Sequence, residues 1–138
     1  MTGWRRFFLV AGLFNIAGGL AGFWNLEKPF LEAGMAPPLY PFAHQLLFLC
    51  VMIFGVGYLM VWRDPLRHRG IVWLGLLSKI AGLGMTFWAL GSDQLPASSW
   101  WQPLVADLPW AAGFGLFLAT TPAALPLPDS TGTLREKK

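Results

Sequence analysis

The chain has 138 residues, a net charge of +3, 55% hydrophobic and 12% charged residues, which is half the charged share of about 25% usual in a soluble domain. Apolar residues in this excess would coat a water-soluble fold with large patches, whereas here they gather into runs long enough to cross a hydrocarbon core of roughly 30 Å. The basic residues are scattered beside those runs and form no patch suited to nucleic acid.

The first apolar run covers residues 7–24, the second 42–62, the third 71–90 and the fourth 103–121, each near the ~20 residues of a spanning helix. The expected fold is all-α: a four-transmembrane-helix bundle over residues 1–121, followed by a disordered tail over 122–138. Helix-breaking segments separate the runs: Glu27-Lys28-Pro29, Pro37-Pro38-Leu39-Tyr40-Pro41, Arg63-Asp64-Pro65 and Ser92-Asp93-Gln94-Leu95-Pro96. The loop 25–41 is suited to lie on the membrane surface through Phe30, Leu31, Met35 and Leu39, or to act as a lid.

Cytoplasmic loops retain Lys and Arg. Arg5, Arg6, Arg63, Arg67, Arg69, Arg135, Lys137 and Lys138, eight of the ten basic residues, fall on one side of a four-span layout. Both termini are therefore expected in the cytoplasm, in a multi-pass protein of a bacterial inner (plasma) membrane. Trp24, Tyr40, Trp100 and Trp101 suit an aromatic belt at the outer interface, and Trp4, Trp62 and Trp73 one at the inner. The start, Trp4-Arg5-Arg6-Phe7-Phe8-Leu9-Val10, resembles an export signal, but its apolar stretch exceeds a usual signal core and three spans follow it, so it reads as an uncleaved first helix.

Each run carries polar residues: Asn15 in the first, His44 and Gln45 in the second, Ser78 and Lys79 in the third, Asp107 in the fourth. An ionisable group at a helix centre costs at least ~2.5–3.5 kcal/mol, so it faces protein or water and marks a candidate site. Asn15, His44, Gln45, Lys79 and Asp107 are accordingly the ligand-binding candidates. Stripes of small residues place them inward: Gly12, Asn15, Gly19 and Gly22; Gly75, Lys79, Gly82 and Thr86; Asp107, Ala111, Gly115 and Ala119. With a fourth helix starting at Pro103, Asp107 sits about 10–15 Å above Lys79 along the axis. A direct ion pair then requires an earlier start near Ser98 or Ser99, an extended lysine or water. His44, Gln45 and Asp107 share the outer third, and Asn15 and Lys79 the middle. Pro109 is placed to loosen the backbone beside Asp107.

The single cysteine, Cys50, reads as a small core residue and rules out an intrachain disulfide. A lone His44, with His68 on the opposite side, makes no metal site, and no phosphate loop, nucleophile elbow, HExxH or CxxC is present. No metal or cofactor is expected.

Four short-looped helices with a glycine-rich first helix, Ala11-Gly12-Leu13-Phe14-Asn15 to Gly22, give a layout that resembles the DoxX-like group of small bacterial membrane proteins. The resemblance implies the fold and no functional residue. The sequence leaves the function between two readings. The first is a non-catalytic accessory or subunit that packs against other membrane proteins, or against itself, through tryptophans and small-residue stripes. The second is a bundle that binds, or converts, a small lipophilic molecule, with Asp107 and His44 as acid or base and Lys79 and Asn15 orienting it. Ion or proton passage along Asp107, His44 and Lys79 would need a wetted path supplied by an oligomer.

Overall fold

The computed structural model describes residues 1–121, and the tail expected over 122–138 lies outside the described residues. Helices α1 (Thr2–Trp24), α3 (Pro41–Arg63) and α4 (Arg69–Gly91) have 23 residues each, or roughly 34 Å at 1.5 Å per residue. A short α2 (Lys28–Glu32) lies between the first two. The last crossing is segmented into a 3-10 turn (Ala97–Ser99), α5 (Gln102–Ala106) and α6 (Leu108–Thr120). Four stretches, Thr2–Trp24, Pro41–Arg63, Arg69–Gly91 and Ala97–Thr120, are long and apolar enough to cross a membrane. Helices close every backbone hydrogen bond within themselves, which is what an apolar surrounding demands.

The helices form a ring in the order α1, α3, α4, α6. α1 and α3 approach most closely, along the stripe expected from sequence. A Cβ on Gly19 would lie 3.0 Å from the Phe48 carbonyl oxygen, one on Gly22 would fall inside the Phe48 ring, and one on Gly55 of α3 would lie 2.9 Å from the Gly12 carbonyl oxygen. α3 and α4 touch near their connection, where Tyr58 fills the room left by Gly75 and Ile71 packs on Gly57. The core cluster gathers at this end, from Phe8, Ala11, Tyr58, Val61, Val72, Phe114, Phe117 and Leu118. Phe8 stacks on Phe114 at 5.9 Å, and Trp4 meets Phe117 edge to face at 5.3 Å. The start of α1 and the end of α6 therefore share one end of the bundle, together with Arg5, Arg6, Arg63, Arg67 and Arg69. Trp4, expected at an interface, is partly buried against the core instead.

Two loops close on the same device. After α2, Gly34 takes φ 71°, the Gly34 amide donates to the Leu31 carbonyl at 3.0 Å and the Met35 amide to Phe30 at 2.8 Å. After α4, Asp93 takes φ 55°, with Asp93 donating to Leu90 at 3.4 Å and Gln94 to Ala89 at 2.9 Å. Both are Schellman closures, which satisfy the last carbonyls of a helix through a left-handed residue.

Three expectations are corrected. The fourth span begins at Ala97 rather than Pro103 and is not one rod, because Pro103 and Pro109 supply no amide hydrogen and break the ladder on either side of Asp107. Of its expected inward stripe, Asp107 and Ala111 do face inward, but Ala119 is exposed and nothing among the described residues lies within 4 Å of a Cβ on Gly115. Ala111, Phe114, Phe117 and Leu118 are buried instead, because four-residue steps drift about 40° each around a helix of 3.6 residues per turn. Cys50 is exposed, not a core residue, since an apolar side chain gains nothing from leaving a lipid-like surface.

Candidate intramembrane site

Above the core, a cavity of about 350 Å³ lies between the helices. All four crossings contribute to it: Asn15 from α1; Leu47, Phe48, Cys50, Val51, Phe54 and Tyr58 from α3; Ser78, Lys79 and Gly82 from α4; and Asp107 from the break in the last crossing. Tyr58 joins the cavity to the core, ring against Phe114 at 4.9 Å. The walls are mainly aromatic and aliphatic, with a few polar groups converging, and the volume falls in the range of small-molecule sites.

Lys79 and Asp107 form an ion pair, Nζ to Oδ1 at 2.7 Å, with side chains 17% and 22% exposed. The two side chains meet although the sequence spacing separates them, because the crossing as a whole runs Ala97–Thr120 and Asp107 lies near its middle. The start is a 3-10 turn in which neither Ser98 nor Ser99 makes a side-chain cap. Asp107 sits between α5 and α6 with φ −116° and ψ −40°, its amide donating to Pro103 at 2.9 Å and its carbonyl accepting from Ala111 at 2.9 Å. A junction residue can thus turn its carboxylate sideways into the bundle. Gly82 leaves room for it: a Cβ there would rest 3.4 Å from Asp107 Oδ2.

Asn15 is 7% exposed, and its amide makes no hydrogen bond among the described residues. Among the described residues no fully enclosed side-chain polar atom is left unpaired, so this amide opens onto the cavity it lines. Ser78 donates its hydroxyl proton to the Gly75 carbonyl at 2.8 Å.

His44 and Gln45 lie apart from this group. His44 is on the first turn of α3, its Nδ1 3.4 Å from the Tyr40 carbonyl oxygen and its ring 5.1 Å from Phe30. Neither residue lines the cavity. The structure thus joins Asn15, Lys79 and Asp107 across the depth that separated them in sequence, and detaches His44 and Gln45 from Asp107. Among the described residues no cluster of His, Cys, Asp or Glu is placed to hold a metal ion.

Sequence reasoning missed the part played by Arg69. Counted there only as a cytoplasmic charge, it donates from Nη1 to the Thr121 carbonyl at 2.6 Å and hydroxyl at 2.7 Å, and from Nη2 to the Leu118 carbonyl at 2.5 Å. It also lies over Phe117, 5.9 Å from the ring centre. With Arg63 and Arg67 in the same connection, nothing in the sequence singled out Arg69 as the one that reaches the last carbonyls of another helix, which lack intrahelical donors.

Comparison with protein-family models, with curated proteins and with solved structures found no match.

Proposed function

We propose that this chain is a multi-pass membrane protein that binds a small lipophilic molecule in the cavity between its four crossings. The observation that carries the proposal is the meeting of Asn15, Lys79 and Asp107 around an apolar space of about 350 Å³. A purely packing ion pair is better served by a filled interior, and an open one leaves the Asn15 amide without a partner. His44 takes no part, so acid or base chemistry pairing it with Asp107 is not included. Orientation follows the charges: the end bearing Arg5, Arg6, Arg63, Arg67 and Arg69 faces the cytoplasm of a bacterial cell, which places both termini there. The part of Phe8 and Ala11 in the core supports reading the first helix as an uncleaved span. The DoxX-like resemblance supports this layout and assigns no activity.

The accessory-subunit reading keeps one specific observation. Gly115 and Ala119, four residues apart, face away from the bundle and form a small-residue step on which another membrane helix can pack. One experiment separates the two. The protein is extracted in native-lipid nanodiscs and everything retained is identified by mass spectrometry. A single stoichiometric small molecule, lost in Lys79→Met or Asp107→Asn, supports binding. A stoichiometric polypeptide with no small molecule makes it a subunit.

A further inference from the structure

The bound molecule's chemistry and its route follow from the same cavity, and this inference rests on the binding function proposed above. Whether the shared proton sits on Lys79 Nζ or Asp107 Oδ1, the pair at 2.7 Å carries no net charge. An ionised head group would have to break that pair or remain uncompensated in an apolar site, at a steep desolvation cost. What the site offers instead is the unpartnered Asn15 amide, an acceptor and two donors, beside the walls made by Phe48, Val51 and Phe54.

The rim shows the way in. Among the residues that line the cavity, Leu47 and Cys50 on α3 and Ser78 on α4 are exposed, while Asn15 and Tyr58 are buried. Exposure therefore rises from α1 toward the gap between α3 and α4. These two helices meet at Tyr58 and Gly75 and at Gly57 and Ile71, on the side of their connection. Beyond it both helices line the cavity, α3 through Leu47 and Cys50 and α4 through Ser78, Lys79 and Gly82, near the middle of each. We infer that the site takes a neutral lipophile bearing a carbonyl or hydroxyl group, which slides in from the hydrocarbon layer between α3 and α4 and is held by Asn15.

The full chain in zwitterionic phospholipid nanodiscs provides the test. Five probes of equal chain length are titrated while Tm is followed: a methyl ketone, a primary alcohol, a carboxylate, an amine and an alkane. The ketone and the alcohol are expected to raise Tm saturably. Asn15→Leu weakens their binding by about tenfold, the worth of one hydrogen bond. Val51→Trp, which fills the cavity from α3 and leaves Asn15 intact, abolishes the shift. A larger saturable shift from the carboxylate or the amine overturns the neutral head group while leaving a lipophile-binding site. For the route, a nitroxide on Cys50, the single cysteine of the chain, is expected to collide with oxygen far more than with a water-soluble nickel chelate. The reverse ratio overturns lateral access. No shift from any probe, with no small molecule retained from native membranes, overturns the binding function itself.

Discussion

Lys79 and Asp107 hold each other at 2.7 Å, about one-fifth exposed, and neither has another charged partner among the described residues. Removing one leaves the other as an uncompensated charge beside apolar walls, which in partly buried pairs costs on the order of 3 kcal/mol. Lys79→Met and Asp107→Leu should each lower stability by about that amount. The double substitution should recover most of the loss, since it removes both charges. A double-mutant cycle read from unfolding in detergent and denaturant checks this; additive losses would mean the two side chains do not interact. The rule that flagged these residues in sequence, that an ionisable group inside an apolar run has a partner, works at mid-helix. It flags His44 and Gln45 too, but they sit in the first turns of α3, where the penalty is small and no partner is required. Asn15 was legible as inward-facing from its glycine neighbours; that its amide would stay unpaired depends on where α4 and the last crossing sit, which a single helix cannot encode.

At the scale of elements, closeness between α1 and α3 is set by missing side chains. A Cβ on Gly19 would press on the Phe48 carbonyl and Met52, while nothing among the described residues lies within 4 Å of one on Gly18. Gly19→Ala should therefore destabilise the bundle by about 1–3 kcal/mol through overpacking. Gly18→Ala should be neutral or add up to about 1 kcal/mol through helix propensity. Thermal unfolding of the two neighbours side by side measures the difference, and equal effects would discard the close approach. The end of α6 depends on a different device. Arg69→Met withdraws the guanidinium donors from the Leu118 and Thr121 carbonyls and should cost about 2 kcal/mol, with faster amide exchange at the end of α6. Arg69→Lys should rescue little, because a single ammonium does not reproduce the planar fork. The four crossings themselves were legible from run length and breaker residues to within a few positions for α3 and α4. The last crossing was not, because Gln102, placed among Trp101, Pro103 and Pro109, gives no periodic signal for a start at Ala97. Beyond Ala111 a stripe of strict four-residue steps drifts about 40° per step around a helix of 3.6 residues per turn, so Gly115 and Ala119 leave the inward face that Phe114 and Leu118 keep.

For the molecule as a whole, the ring of helices fixes which ends belong together. Trp4 against Phe117, and Arg69 on Thr121, bring the start of α1, the α3–α4 connection and the end of α6 to one end. The exposed Trp24, Leu39, Tyr40, Trp100 and Trp101 gather at the other. Clustered arginine is the sign by which a bundle is oriented, whereas aromatic belts belong to both interfaces. In a Cys50→Ser background, a membrane-impermeant maleimide applied to whole cells, with the outer membrane made permeable, should label Ser98→Cys and spare Arg67→Cys until the inner membrane is opened. Both positions are exposed in the fold, so protection reports the bilayer and not burial. The opposite pattern would invert the protein and, with it, the leaflet that feeds the cavity. Tyr58 closes that cavity toward the arginine end, and its lining continues toward the aromatic one through Leu47 on α3 and Gly82 on α4. On the orientation proposed above, the proposed ligand would enter from the middle and outer leaflet, without crossing the charged face of the bundle.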